Sequence, residues 1–150
     1  SRRHMFRNHY FGGRSFIERT PEMRGSAVDE KFKYDRFMIE GQNIVLVDDS
    51  IVRLITLPRV VKQLSKLGAR EVHVRIGCPP ITHPCIYGID TPTKAELVAA
   101  NLSLEEIRAA SGATSLQYLS QDGLERVAGM FSDRRSFCYG CLTGEFRLPS

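Results

Sequence analysis

Two adjacent carboxylates, Asp48 and Asp49, follow directly on the apolar run of residues 44–47. Paired acids at the end of an apolar strand suit two tasks. They accept hydrogen bonds from sugar hydroxyls, and they hold Mg²⁺ directly or through water. The next residues, 50–56, lead into a helix, and backbone N–H groups with a hydroxyl in such a loop bind phosphate. A solvated loop whose two acids cap the helix fits the same pattern equally well.

Four cysteines form the second group: Cys78, Cys85, Cys138 and Cys141. In a reducing compartment such an even set points to metal or cluster ligation rather than disulfides. The C-x-x-C of "FCYGC" alone fits a redox pair or zinc as well. His4, His9, His73 and His83 have no mutual spacing that suggests a metal site. His73 alternates within a strand pattern and reads as structural.

These groups need elements to position them. Residues 44–47 read as a continuously apolar strand of the kind buried in a parallel sheet. Pro58 suits the first turn of a helix, where its missing N–H costs nothing. Val60, Val61, Leu64 and Leu67 share one helical face, and Gly68 supplies the stop. "EVHVRI" is the next strand, so residues 43–76 form a βαβ unit with an expected right-handed crossover. Residues 77–92 are too rich in proline to be helical. Thr93 with Glu96, and Ser103 with Glu106, have capping-box spacing and predict two short helices, the second ended by Gly112. "SLQYL" predicts a further strand and "QDGLERVAGM" a last helix. Residues 1 to about 30, rich in arginine, glycine and aromatics, lack periodicity and read as a long loop or a frayed terminus.

The 150 residues suit one domain with a real core. The net charge of +4 is mild and its basic residues are scattered, so no nucleic-acid footprint is expected. No apolar run reaches membrane-span length and no leader pattern opens the chain, so no membrane partner and a cytoplasmic location are expected. The opening "SRRHM" reads as the start of a piece of a longer chain.

"VLVDDSIVR", followed by a threonine and a helix, resembles the phosphoribosyl-pyrophosphate loop of the type I phosphoribosyltransferases. "RNHYFGGRSFIE", "LVDDSIVR", "GAREVHVRI", "PPITHPCIYGIDTPTKAELVAAN" and "FCYGCLTGEF" together resemble the amidophosphoribosyltransferase family over nearly the whole chain. The resemblance implies an α/β fold, a Rossmann-like parallel sheet of the type I phosphoribosyltransferase kind, incomplete at its N-terminal side. It assigns residues 1–150 to the C-terminal part of that domain, with residues 1–30 a flexible substrate-covering loop and 77–150 the region of the cluster cysteines. A separate glutaminase domain, which supplies ammonia from glutamine, is not in this stretch.

The implied activity is displacement of pyrophosphate from phosphoribosyl pyrophosphate by ammonia, the first committed step of purine (IMP) biosynthesis. Asp48 and Asp49 would bind the ribose hydroxyls and the Mg²⁺ shell, with no group needed as catalytic acid or base. Ser50, Arg53 and Thr56 would serve the 5′-phosphate, and Arg7, Tyr10 and Arg14 would cover the phosphates as a gate. Cys85, Cys138 and Cys141 match three ligands of a [4Fe–4S] cluster, the fourth lying upstream. Cys78 is read as a buried packing thiol. The resemblance also implies a homotetramer at full length.

The resemblance breaks in the phosphate loop, besides the extra glycine of "FGGR", Arg19 where proline is usual and Cys78 where a small residue is usual. The family reads R-G-T-T where this chain has Arg53, Leu54, Ile55 and Thr56. Leu54 cannot cheaply adopt a positive φ, and Ile55 has no hydroxyl to donate. Phosphate binding is therefore expected to be weakened, and this stretch alone to be inactive. A phosphoribosyl-pyrophosphate-sensing regulatory module and an inactive remnant are the alternative readings.

Overall fold

Alternation and helical period sort the chain into an α/β arrangement in the computed structural model, which describes residues 5–7, 32–34, 36–131 and 137–146. Strands β1 (Met5–Arg7) and β2 (Phe32–Tyr34) pair antiparallel, with Met5 opposite Tyr34. Helix α1 (Arg36–Ile39) leads to β3 (Asn43–Asp48), which starts a parallel sheet of order β3-β4-β5. Strand β4 is Glu71–Ile76 and β5 is Ser115–Tyr118. Asn43 lies opposite Glu71 and Asp48 opposite Ile76, so β3 and β4 end together at their carboxyl edge.

Helix α2 (Thr56–Lys66) crosses from β3 to β4 and buries Leu57, Val60, Val61 and Leu64. Pro58 sits in its first turn, where the backbone N–H has no partner within the helix anyway. Gly68, at φ +89°, turns the chain out of the helix, and its N–H donates to the Ser65 carbonyl at 3.0 Å. Strand β4 alternates strictly: Val72, Val74 and Ile76 are buried, while Glu71, His73 and Arg75 are half-buried. His73 is structural, as its position suggested. Its Nδ1 lies 2.9 Å from Ser115 Oγ and its Nε2 3.1 Å from Glu71 Oε2.

After the proline-rich segment come a 3-10 turn (Lys94–Glu96), α3 (Val98–Asn101), α4 (Leu104–Ser111), β5, α5 (Gln121–Ala128) and α6 (Gly140–Thr143). Both capping boxes form, at Thr93 with Glu96 and at Ser103 with Glu106. The first does not open a continuous helix. Leu97 is extended at ψ 110°, and the Asn101 side-chain amide takes the carbonyls of Lys94, Ala95 and Leu97 at 2.9, 3.2 and 2.7 Å. Gly112 ends α4 at φ +74°, as expected.

Two expectations need correction. Residues 5–7 are a strand, not loop; a three-residue pairing is too short to leave a period in the sequence. Nor is β3 buried on both faces. Leu46 is in the core, but Val45 is 62% and Val47 69% exposed. The strand is an edge of the described sheet, and its second face has no covering layer among the described residues, so apolar character does not translate into burial there.

Candidate functional site

The carboxyl edge of β3 carries the acid pair. Asp48 is the last residue of the strand, and its carbonyl accepts the Gly77 N–H at 2.8 Å, locking it to the end of β4. The Asp49 N–H donates to Asp48 Oδ1 at 3.0 Å, and Ser50 Oγ donates to Asp49 Oδ1 at 3.2 Å. Both aspartates are exposed. Neither occupies the N-cap position of the helix that follows. The N-cap position of α2 is Ile55, which has no side-chain oxygen to offer and makes no capping bond. An uncapped helix start aims unsatisfied N–H groups and positive dipole at whatever anion approaches.

Between them runs the loop. Ile51 anchors it in the core at 4% exposure, and the Val98 N–H reaches across to the Val52 carbonyl at 3.1 Å. Arg53 Nε donates to Glu96 Oε1 at 3.1 Å. Leu54 packs half-buried against the core, and the Ile55 N–H donates to the Arg53 carbonyl at 2.8 Å. No residue other than glycine has a positive φ among the described residues, so the loop turns without the conformation that glycine would permit. Ser50 and Arg53 thus lie on the loop between the acid pair and α2, and Thr56 is the first residue of that helix. Arg7 lies on β1, where only its backbone is described; Tyr10 and Arg14 fall outside the described residues.

Cys78 follows the Gly77 link and is half-buried against the core rather than fully enclosed. Burial pushes its thiol up to about 11, with the charges of Asp49, Cys141 and Asp48 adding in that order. Tyr118 at the end of β5 is pushed up to about 12, first by burial and then by Cys78, and its hydroxyl is buried without a hydrogen-bond partner among the described residues. Sequence reasoning treated Cys78 as packing alone; its closeness to the acid pair follows from the strand register, which no local pattern reveals.

The remaining thiols lie where the proline-rich segment meets α6. The Tyr87 N–H points to Cys85 Sγ at 3.4 Å, and the Gly140 N–H points to Cys138 Sγ at 3.5 Å. Both are turns in which the amide two residues on faces the sulfur. The Cys141 carbonyl accepts the Thr82 and His83 N–H groups, each at 3.0 Å, and Thr82 Oγ1 donates to the Leu142 carbonyl at 3.0 Å. Tyr87 and Phe146 meet edge to face at 6.1 Å. Gly140 makes this possible, since a Cβ there would stand 2.3 Å from Phe146. Burial raises the Cys141 thiol, and Cys85 and Cys138 add to the shift. All four cysteines are free, and no three metal-binding side chains gather into a ligating group among the described residues.

No family model matches the chain. Its homologues are amidophosphoribosyltransferases. It is 45% identical over 142 residues to amidophosphoribosyltransferase 1, chloroplastic, of Arabidopsis thaliana, covering 95% of this chain and 25% of that protein. For the amidophosphoribosyltransferase of Methanocaldococcus jannaschii the figures are 46%, 95% and 29%, and for that of Bacillus subtilis 44%, 95% and 30%. The chain therefore spans between a quarter and a third of the length of these relatives. Among solved structures, it matches glutamine phosphoribosylpyrophosphate amidotransferase from B. subtilis, complexed with ADP and GMP, with a TM-score of 0.77 at 44% identity. The match covers 95% of this chain and 31% of that one, and the three parallel strands with their helices are the α/β architecture the two share.

Proposed function

We propose that this chain is the C-terminal part of the phosphoribosyltransferase domain of an amidophosphoribosyltransferase. Such an enzyme converts phosphoribosyl pyrophosphate, glutamine and water to 5-phosphoribosylamine, glutamate and pyrophosphate, the entry step of purine synthesis. The observation that carries the reading is the Asp48–Asp49 pair at a parallel strand end, one loop away from an uncapped helix start. The identity over 95% of the chain supports it.

In this reading Asp48 and Asp49 accept hydrogen bonds from the ribose 2′ and 3′ hydroxyls and hold the sugar still while the bond at C1 breaks. The 5′-phosphate sits over the loop, facing Ser50, Arg53, Thr56 and the first-turn N–H groups of α2. Arg7, Tyr10 and Arg14 cover the substrate against water. No residue here needs to move a proton; fixing the sugar in line with ammonia supplies the effective concentration. Mg²⁺, when bound, neutralises the leaving pyrophosphate. Two exposed adjacent carboxylates suit an ion held mainly by substrate phosphates and water, as Mg²⁺ prefers.

Cys85, Cys138 and Cys141 would be three ligands of a [4Fe–4S] cluster. The amide-to-sulfur turns at Cys85 and Cys138 are the contacts that steady thiolates in such clusters. A [4Fe–4S] cluster takes four thiolates, so these three would need a fourth from outside this stretch. The full-length protein would work as a homotetramer in the cytoplasm, away from membranes and nucleic acid. Among the described residues no helix is long and apolar enough to cross a membrane.

Calorimetric titration with ribose 5-phosphate and Mg²⁺ tests the reading. Binding lost in Asp48→Asn with Asp49→Asn supports it, since each lost charge-assisted hydrogen bond costs about 1.5–3 kcal/mol. Equal binding before and after would remove it. An inactive remnant is the second reading, favoured by Leu54 turned into the core and Ile55 without a donor. It would show no ribose 5-phosphate binding even in the full-length protein.

A further inference from the structure

The phosphate loop is fastened at a point that its own sequence does not reveal. Arg53 reaches 43 residues along the chain to Glu96, which it meets through Nε at 3.1 Å. Glu96 is itself held. Its Oε2 accepts the Thr93 N–H at 3.2 Å and the Thr93 hydroxyl at 3.1 Å, the side-chain half of the capping box. Beside it, the Val98 N–H closes on the Val52 carbonyl at 3.1 Å. Glu96 thus joins two rigid pieces: one oxygen belongs to the turn and the other to the loop. The Arg53–Glu96 contact uses only the Nε edge of the guanidinium. Nη1 and Nη2 make no hydrogen bond among the described residues, and the side chain retains 28% exposure.

Resting on the transferase reading, we infer that Glu96 is a positioning residue that grips Arg53 by its Nε edge and presents the Nη pair to the substrate 5′-phosphate. A guanidinium offers five donors in a fixed fork, so pinning one edge orients the rest and removes rotamer freedom before the anion arrives. This arrangement bears more in this chain than it would with a hydroxyl at position 55. Ile55 gives no donor, so Arg53 is the charged group of the loop that can meet phosphate. Glu96 does not touch the substrate and acts only through Arg53.

The test is a binding cycle in the full-length protein, with ribose 5-phosphate as the probe and wild type, Arg53→Gln, Glu96→Gln and the double variant compared. Glu96→Gln keeps one amide oxygen for the Thr93 cap and removes the charged acceptor for Arg53. Arg53→Gln is expected to weaken binding about tenfold or more, as loss of a charge-assisted contact does. Glu96→Gln is expected to weaken it roughly two- to fivefold, the range of an exposed pair. The double variant should bind no more weakly than Arg53→Gln. A merely structural role for Glu96 would instead add its effect in both backgrounds. Hydrogen exchange at the Val98 amide, unchanged in Glu96→Gln, establishes that the loop junction has survived. If Glu96→Gln binds like wild type, or weakens binding equally with and without Arg53, the inference falls alone. If wild type does not bind ribose 5-phosphate, the transferase reading falls and takes the inference with it.

Discussion

Replacing Leu54 by glycine and Ile55 by threonine should trade stability for phosphate affinity, and the structure gives the size of each. Leu54 is half-buried against the core, so removing its side chain forfeits about half of the 1.5–3 kcal/mol of a fully buried leucine, roughly 1 kcal/mol. A glycine in its place adds up to about 1 kcal/mol of backbone entropy cost. Leu54→Gly alone should therefore destabilise by about 2 kcal/mol, seen as a melting temperature lower by roughly 4–8 °C. Ile55 is the N-cap of α2 and makes no capping bond; its helical backbone (φ -103°, ψ -53°) is not the extended form a capping threonine uses, so Ile55→Thr adds little stability there. The double variant should therefore melt close to Leu54→Gly alone. Its affinity for ribose 5-phosphate should rise, because a restored donor to a charged oxygen contributes about 1.5–3 kcal/mol, or roughly 10- to 150-fold. Thermal unfolding and calorimetric titration of the same samples read both quantities. A double variant that binds no better, or a Leu54→Gly protein that melts with wild type, would refute the account of this loop.

The thiols give further outcomes. Cys78, pushed up to about 11 by burial and the acid pair, should be almost unreactive toward alkylating agents near pH 8. Asp48→Asn with Asp49→Asn should lower that midpoint, as pH-dependent alkylation with mass mapping would reveal. Its sign for stability is also fixed. The folded thiol holds its proton above the ordinary 9.0, so its contribution is complete below pH 9 and is lost as pH rises toward 11, which urea unfolding across that window would detect. In the full-length protein, Cys85→Ser, Cys138→Ser or Cys141→Ser should each cut the bound iron and acid-labile sulfide, whereas Cys78→Ser should leave both intact. Iron retained in all three would argue against cluster ligation.

Much of this was legible in the sequence because it is local. The stripe of Val60, Val61 and Leu64, Pro58 in a first turn, Gly68 and Gly112 at helix ends, and both capping boxes depend on spacings of a few residues. The acid pair was legible for the same reason, being the point where an apolar run stops. What escaped depends on distant pairing. Val45 and Val47 look buried by type, yet burial is decided by whether another layer covers that face. The Arg53–Glu96 contact spans 43 residues, and Glu96 already had a local explanation as half of a capping box. The approach of Cys78 to Asp49 needs the register of β3 against β4.

The seam between the proline-rich segment and α6 has a kinetic corollary. Thr82 and Leu142 are 60 positions apart, and their hydrogen bond belongs to the same seam as the Tyr87–Phe146 stack. Loop closure over that span is entropically slow, so the seam should zip after β3, β4 and α2 have consolidated. Until it does, Cys85 is not yet brought toward Cys141. On the proposed cluster reading, a nascent molecule would then pass through an interval in which oxidants compete with iron for the same thiols.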